Sequence, residues 1–502
     1  MSFIASLFTS AHRSKSARLS SPYAWLTLML WSGVLILPSV DVDAQDVITK
    51  THPTDAATPV SEVSSGAIPL RDGSRAQRDH ELLSGPMVAF GGMHEVKLWV
   101  QTHAPAAVRF HYWPTQDPKA RATSRLIHTT TSGHHIAQAM LSGLQENTRF
   151  SYEVEVNGQV VRRPYPLRFQ TQLRWQRRAS PPDFTMAVGS CVYVNLGPDD
   201  HYGGGYEIFE SVRAQRPDLM LWLGDNLYLG PQDWSSREGI FRRYAAQRAL
   251  PELQALLGSV HHYAIWDDHD YGPNDANRSY PLKGAALDAF RSYWPNPNSG
   301  LPELAGAFGT FSWSDVDFFL LDDRTFRAPD NLPDHLDKPL LGDAQLTWLL
   351  DALSGSRATF KLIAIGSQVL NPFSRFEGYA KHPHERDRLI RGIKERGIEG
   401  VVFLSGDRHF AELNKRADDP QFYPLYDFPS SPMTSRNASS VGSEINNPLR
   451  VPGTLVKDHR NFGMLRFSGV GADRTLTLES RNTAGELIWL HTLKASELKI
   501  PR

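Results

Sequence analysis

The chain has 502 residues, 41% hydrophobic and 21% charged, with a formal net charge of -1. That length can bury a large catalytic core beside a smaller unit. The near-neutral balance, without a basic stripe, gives no electrostatic case for a nucleic-acid partner, and a single cysteine excludes an internal disulfide.

Arg13, Lys15 and Arg18 precede an uncharged, mostly apolar stretch from Tyr23 to Val40, followed by Val42-Asp43-Ala44. This order reads as an export signal over 1–44, which would place the mature chain outside the cytoplasm, periplasmic or secreted. The stretch is nearly long enough to cross a bilayer, so an uncleaved membrane anchor stays open as the alternative. Residues 45–80 are polar, with scattered proline and glycine, and read as a flexible linker.

Over 81–176 the runs Val96–Val100, Val108–Tyr112 and Phe150–Val156 are short and separated by polar turns. They predict a small all-β sandwich with a packing or spacer role. From 183 the pattern alternates. Apolar runs at 183–189, 218–223, 262–266, 316–321, 360–365 and 400–405 predict buried strands. Helices are predicted at 205–215, 235–258, 283–292, 343–353 and 383–396. The result is a layered α/β unit over 183–495, with ligands beyond the carboxyl ends of its strands. Residues 412–456, rich in proline, serine and asparagine, read as a long surface excursion placed near a site. The tail returns to strand-like runs at 462–468, 474–479 and 486–492.

Four apolar runs end in side chains that bind metals: Gly189-Ser190-Cys191, Gly224-Asp225-Asn226-Leu227-Tyr228, Trp266-Asp267-Asp268-His269-Asp270 and Gly406-Asp407-Arg408-His409. Asp225 has two oxygens to bridge two cations, against the plainer reading of a carboxylate capping the next segment. Tyr228 would bind as phenolate only beside a strong Lewis acid, ferric iron being the obvious one, because its free pKa is about 10; otherwise it is a half-buried ring. Cys191 is either a thiolate ligand or a buried small hydrophobe. In extended backbone the acids of 267–270 cannot all converge, which favours Asp268 as the ligand. His269 then stands near the leaving oxygen, and Asn274 offers a neutral oxygen. Asp407 and His409, two apart, would share one face of an extended strand end, and Arg408 is open to pairing with an acid. Arg324, after Asp322-Asp323, could clamp a phosphoryl oxygen with its fork or simply pair with those acids. Gly366-Ser367-Gln368 adds hydrogen bonds at another strand end, and Gly203-Gly204-Gly205 lacks the setting of a nucleotide loop. His261 and His262 are expected to do no chemistry.

Gly-Ser-Cys at 189–191, Gly-Asp-x-x-Tyr at 224–228, Trp-Asp-Asp-His-Asp at 266–270, Leu-Asp-x-Arg at 321–324 and Gly-Asp-x-His at 406–409 together resemble the PhoD-like alkaline phosphatases of the calcineurin-like metallophosphoesterase superfamily. The resemblance covers about 183–490, and residues 82–175 are similar to that family's immunoglobulin-like amino-terminal domain. It implies a metallophosphoesterase-type β-sandwich flanked by helices, and an exported phosphatase using iron(III) and calcium on phosphomonoesters and sometimes diesters. Cys191, Asp225, Tyr228 and His409 fall at its iron site. Asp225, Asp268 and Asp407 fall around the second ion, with Asn274 as a further ligand, and His269 falls beside the leaving group. Asn226 stands where many relatives carry a larger apolar or aromatic residue. The expected function is phosphate-ester hydrolysis by a hydroxide activated between two cations, with Arg324 and His269 catalytic and a small phosphate ester as partner. Phosphodiesterase or phospholipase activity on the same scaffold stays open, as does, more distantly, a non-catalytic secreted binding module. Oligomeric state is unconstrained.

Overall fold

The computed structural model describes residues 81–373, 376–438 and 441–501, all within one compact unit. The expected export segment and linker, residues 1–80, lie outside the described residues.

Two sheets face each other. The larger has nine strands, in the order Leu487–Lys494, Thr475–Asn482, Asn461–Ser468, Phe184–Gly189, Leu219–Leu223, His261–Ile265, Leu82–Gly91, Glu95–Thr102 and Ile136–Ser142. The second has six, in the order Gly309–Trp313, Val316–Leu320, Phe360–Ala364, Val401–Ser405, Leu425–Pro429 and Asn414–Arg416. The central strands of both are parallel, mostly apolar and almost wholly buried, because both faces are covered. Alternation then divides each strand. Val188, Leu221 and Tyr263 point into the core between the sheets, against Phe318, Leu362 and Phe403. Ala187, Trp222 and Ala264 point outward beneath the helices, where Phe209, Phe241 and Phe290 cover them. Leu346, Leu349 and Leu353 of helix Asp343–Gly355, with Leu389 and Ile393 of Pro383–Glu395, join the inter-sheet core.

The helix expected over 235–258 is broken. Arg237–Arg248 ends before Leu250-Pro251, and a short turn, Gln254–Leu257, follows. Proline has no N–H to continue the ladder, which sets the break. The 412–456 excursion also differs from expectation, since Leu425–Pro429 is a buried strand of the second sheet.

The amino-terminal region has a sandwich core of its own, with Val96, Leu98 and Val100 packed with Phe110, Tyr152 and Val154. A small sheet built on Ala107–Pro114 and Arg149–Val156 forms one layer. The other layer is not separate. Leu82–Gly91 pairs in parallel with His261–Ile265, Val88 opposite His261, so the sandwich shares the nine-stranded sheet.

Candidate metal centre

The parallel strands of both sheets deliver their carboxyl ends to one rim. After Phe184–Gly189 the chain turns at Cys191, whose φ is 58°. Asp225 (φ 50°), Asp407 (φ 66°) and His409 (φ 54°) share that left-handed backbone. Non-glycine residues rarely adopt it, and it concentrates where the surrounding fold over-determines a functional side chain. Asp407 and His409 therefore do not lie on an extended strand as the spacing suggested; a turn presents them.

Asp225 is the hub. The Cys191 thiol lies 3.5 Å from its Oδ2, and the Tyr228 hydroxyl donates to the same oxygen at 3.2 Å. The His269 backbone N–H reaches Oδ1 at 3.4 Å. One potential donor atom each of Cys191, Asp225 and His409 lie within 4.8 Å of one another, and so do those of Asp225, Asp268 and His269. Asp225 belongs to both groups. Tyr228 joins the first, its hydroxyl 3.0 Å from His409 Nε2, and its ring lies 4.1 Å from that of His269.

Segment 266–271 is not extended. Asp268–Tyr271 forms one helical turn capped by Asp267, and its acids separate by direction. Asp268 faces Asp225, while Asp270 accepts the Asn226 and Asp267 N–H groups and ties the two ligand loops together. Asp267 turns to the rear, where it, Asp268 and Glu377 form a third close group. Asn274 is exposed on the following turn, and among the described residues its side chain makes no hydrogen bond to the cluster. The expected neutral oxygen ligand is not brought in.

Arg324 also departs from expectation. It is fully buried, its Nε donating to Asp267 Oδ1 at 2.6 Å and its Nη1 to Glu377 Oε1 at 2.9 Å. Asp323 is farther, at 3.7 Å. With both edges of the fork engaged, it braces the acids behind the centre and cannot clamp substrate. Arg408 pairs with Glu444. Ser367 serves this framework, its N–H donating to Asp323 at 3.0 Å. Spacing gave no hint of Glu377, which lies in an irregular loop. Nor did it point to Ser431, whose hydroxyl lies 2.9 Å from the Cys191 sulfur, or Ser435, 3.3 Å from His409 Nε2.

Burial pushes the Asp225 carboxyl well up, with Cys191 and Asp268 adding to it. It also raises Asp407 to about 8, against the pull of Arg408, and the Cys191 thiol to about 12. Asp268 goes the other way, because His269 and Arg324 outweigh its burial. Buried oxygens of Asp267, Asp268 and Asp407 have no hydrogen-bond partner among the described residues. Acids buried at this density need compensating positive charge. The donor chemistry fits cations of two kinds. Thiol, imidazole and phenol beside Asp225 suit a transition metal, and the carboxylates of Asp225, Asp268 and Asp407 suit a hard cation.

Comparison with known proteins agrees with this geometry. The profile of the PhoD-like phosphatases matches residues 186–478, and a domain of unknown function (DUF7800) matches 79–173. Alkaline phosphatase D of Bacillus subtilis (strain 168) is 26% identical over 280 residues, which span 46% of each chain, under half of that relative's length. A solved structure of PhoD superposes with a TM-score of 0.67 at 18% identity, covering 84% of this chain and 93% of that one. The purple acid phosphatase PPD1 of yellow lupin (Lupinus luteus) gives 0.56 at 12% identity, covering 82% and 74%.

Proposed function

This chain belongs to the PhoD-like phosphatase family, with the α/β metallophosphoesterase fold, and on that premise we propose that it is a metal-dependent phosphoric ester hydrolase of the alkaline phosphatase D type. The observation that carries the proposal is the sharing of Asp225 between two close donor groups on one rim. Cys191, Asp225, Tyr228 and His409 would hold iron(III), and Asp225, Asp268 and Asp407 would hold calcium. Bound there, the cations would neutralise phosphoryl oxygens and make water acidic enough to supply the nucleophile.

The chain's own residues do the rest. Ser431 and Ser435 orient the Cys191 sulfur and the His409 ring. Arg324 fixes Asp267 and Glu377, so Asp268 keeps its direction. His269, between the Tyr228 ring and Asp225, holds a proton for the departing alcohol.

We read the chain as an export segment over 1–44, a linker over 45–80, an immunoglobulin-like sandwich over 81–176 and a catalytic unit over 183–495, acting outside the cytoplasm. The profile boundaries support this division, although the sandwich and the catalytic unit share a sheet. Among the described residues no helix is long and apolar enough to cross a membrane.

Asp225→Asn tests the proposal. Hydrolysis of p-nitrophenyl phosphate should fall at least about 100-fold, together with bound metal measured on the same sample. Full turnover with full metal content in that variant would refute it.

A further inference from the structure

The guanidiniums packed behind the ligand cluster are held by carboxylates. Arg324 serves Asp267 and Glu377, Arg327 serves Asp330 and Glu377, and Arg408 serves Glu444. Arg436 is different. It is exposed at the front and pairs with no carboxylate among the described residues. Its one side-chain hydrogen bond there is a long one, 3.5 Å from Nη2 to the His201 carbonyl. Its guanidinium lies 5.5 Å over the ring of Tyr202. That ring stands 6.2 Å from the Tyr228 ring and 6.3 Å from His409. Arg436 also directly follows Ser435, the residue beside His409 Nε2. A cation therefore stands at the lip of the proposed metal centre with its hydrogen-bonding edges largely unused.

The same arginine lines an open cavity of about 670 Å³, walled also by Asn437, Asp458, His459, Arg460 and Asn482. The lining residues carry polar side chains apart from Ala484, although much of the surface they present is apolar. Its acids each have a cation nearby. Asp458 accepts from Lys457 at 2.9 Å, and Glu207 faces the Arg460 guanidinium. Arg460 is otherwise turned to the Thr434 and Ser435 carbonyls. Among the described residues neither Arg460 nor Arg436 forms an ion pair with a carboxylate, and Arg436 is the one that stands over Tyr202 beside the centre.

We infer that Arg436 is a specificity-determining residue: with this cavity it forms a leaving-group subsite for phosphate esters whose alcohol carries a second anionic group. This rests on the hydrolase reading above. A phosphoryl group seated at Asp225 with its leaving oxygen at His269 would carry its alcohol across the Tyr228 ring toward Tyr202 and the guanidinium. The face of Tyr202 holds that guanidinium while leaving its N–H edge open, and the fork matches a phosphate or a carboxylate.

The test uses the full, metal-loaded chain and three phosphate esters built on a three-carbon alcohol: glycerol phosphate, glycerol bisphosphate and phosphoglycerate. In the unaltered protein kcat/KM for the bisphosphate should exceed that for glycerol phosphate roughly tenfold, the worth of one charged hydrogen bond. Arg436→Gln should bring that ratio close to unity, and Arg436→Lys should retain part of it. A matching gain on phosphoglycerate assigns the subsite to anions in general; a gain on the bisphosphate alone assigns it to phosphate. An unchanged ratio in Arg436→Gln, or equal loss on all three esters, overturns the inference. If the unaltered protein hydrolyses none of them, the hydrolase reading has failed separately. The subsite is then read from calorimetric affinities for the same intact compounds, and equal affinity ratios in protein and variant overturn it.

Discussion

Arg324 carries the strongest electrostatic consequence of any single side chain here. It is buried with two carboxylates against its fork, and burial opposes its charge less than Asp267 and Glu377 support it. Removing one member of such a group strands the others as uncompensated buried charge, at about 3–5 kcal/mol. Arg324→Met should lose stability of that order in urea unfolding. Arg324→Lys should recover only part, because an ammonium cannot reproduce two parallel bonds. A substrate clamp would behave differently: lysine would raise KM and leave the unfolding midpoint in place. The contrast explains what was legible at this scale. Cys191, Asp225, Tyr228, Asp268 and His409 each follow a buried run, so their meeting at one rim could be inferred from position. The shorter-range partners of Arg324 in space lie 57 and 53 residues away in sequence, whereas Asp322-Asp323 alongside it suggested only the local pairing, which the fold makes through the longer contact to Asp323 at 3.7 Å.

Among elements, the strand ends share a device. Gly189, Gly224 and Gly406 precede the ligand turns of Cys191, Asp225 and Asp407, and the missing side chain lets a neighbour close in. A Cβ on Gly189 would meet Met433 at 2.5 Å, and one on Gly366 would meet the Asp267 carboxylate at 2.4 Å. Gly406 is the most constrained, since a Cβ there would come within 2.6 Å of Ser190 Oγ and 2.7 Å of the Leu223 carbonyl. Ser190 Oγ already donates to the Ser430 carbonyl at 3.0 Å, and a strand carbonyl cannot retreat. Gly406→Ala should therefore cost about 1–3 kcal/mol of stability by overpacking. By shifting Asp407 and His409 it should also weaken metal affinity roughly 10–100-fold, as calorimetric titration would show. Unaltered affinity would mean the turn is not what sets the ligands. The strands themselves were readable because apolar runs such as Val401–Ser405 are uninterrupted. Leu425–Pro429 was not, because a mid-strand aspartate and a final proline imitate a loop. Asp427 is buried there only because the Val369 and Leu370 N–H groups and Ser405 Oγ satisfy it, which no local pattern reveals.

For the whole molecule, the continuous sheet joins two regions that composition divides. The seam runs along Leu82–Gly91 and His261–Ile265, strands too distant in sequence for their pairing to be inferred; of two imidazoles on the second strand, His261 reaches across it and His262 ties that strand to its own side. His261 Nδ1 lies 3.0 Å from the Ala89 carbonyl, and its Nε2 lies 2.9 Å from the Gln170 carbonyl and 3.3 Å from the Gln170 N–H. His262 Nδ1 accepts from Trp222 Nε1 at 3.0 Å, with Nε2 toward the Leu256 carbonyl at 3.2 Å. The Trp222 donor assigns His262 as neutral, Nδ1 accepting and Nε2 donating. Protonating His262 would set donor against donor at Trp222. Burial accordingly holds His261 down at about 4 and His262 at about 3, despite their carbonyl partners. The unfolded chain takes up these protons near the ordinary value of about 6.5, so below it the unfolded state binds more protons than the fold. Stability from this pair is complete above about pH 6.5 and is lost as pH falls toward 4 and 3. The urea midpoint should drop between about pH 7 and about pH 5, and the drop should be smaller in His262→Gln, measured against its own value at about pH 7. An equal drop in both proteins would place the acid sensitivity elsewhere, in the carboxylates of the rim instead of the seam that joins the sandwich to the catalytic sheet.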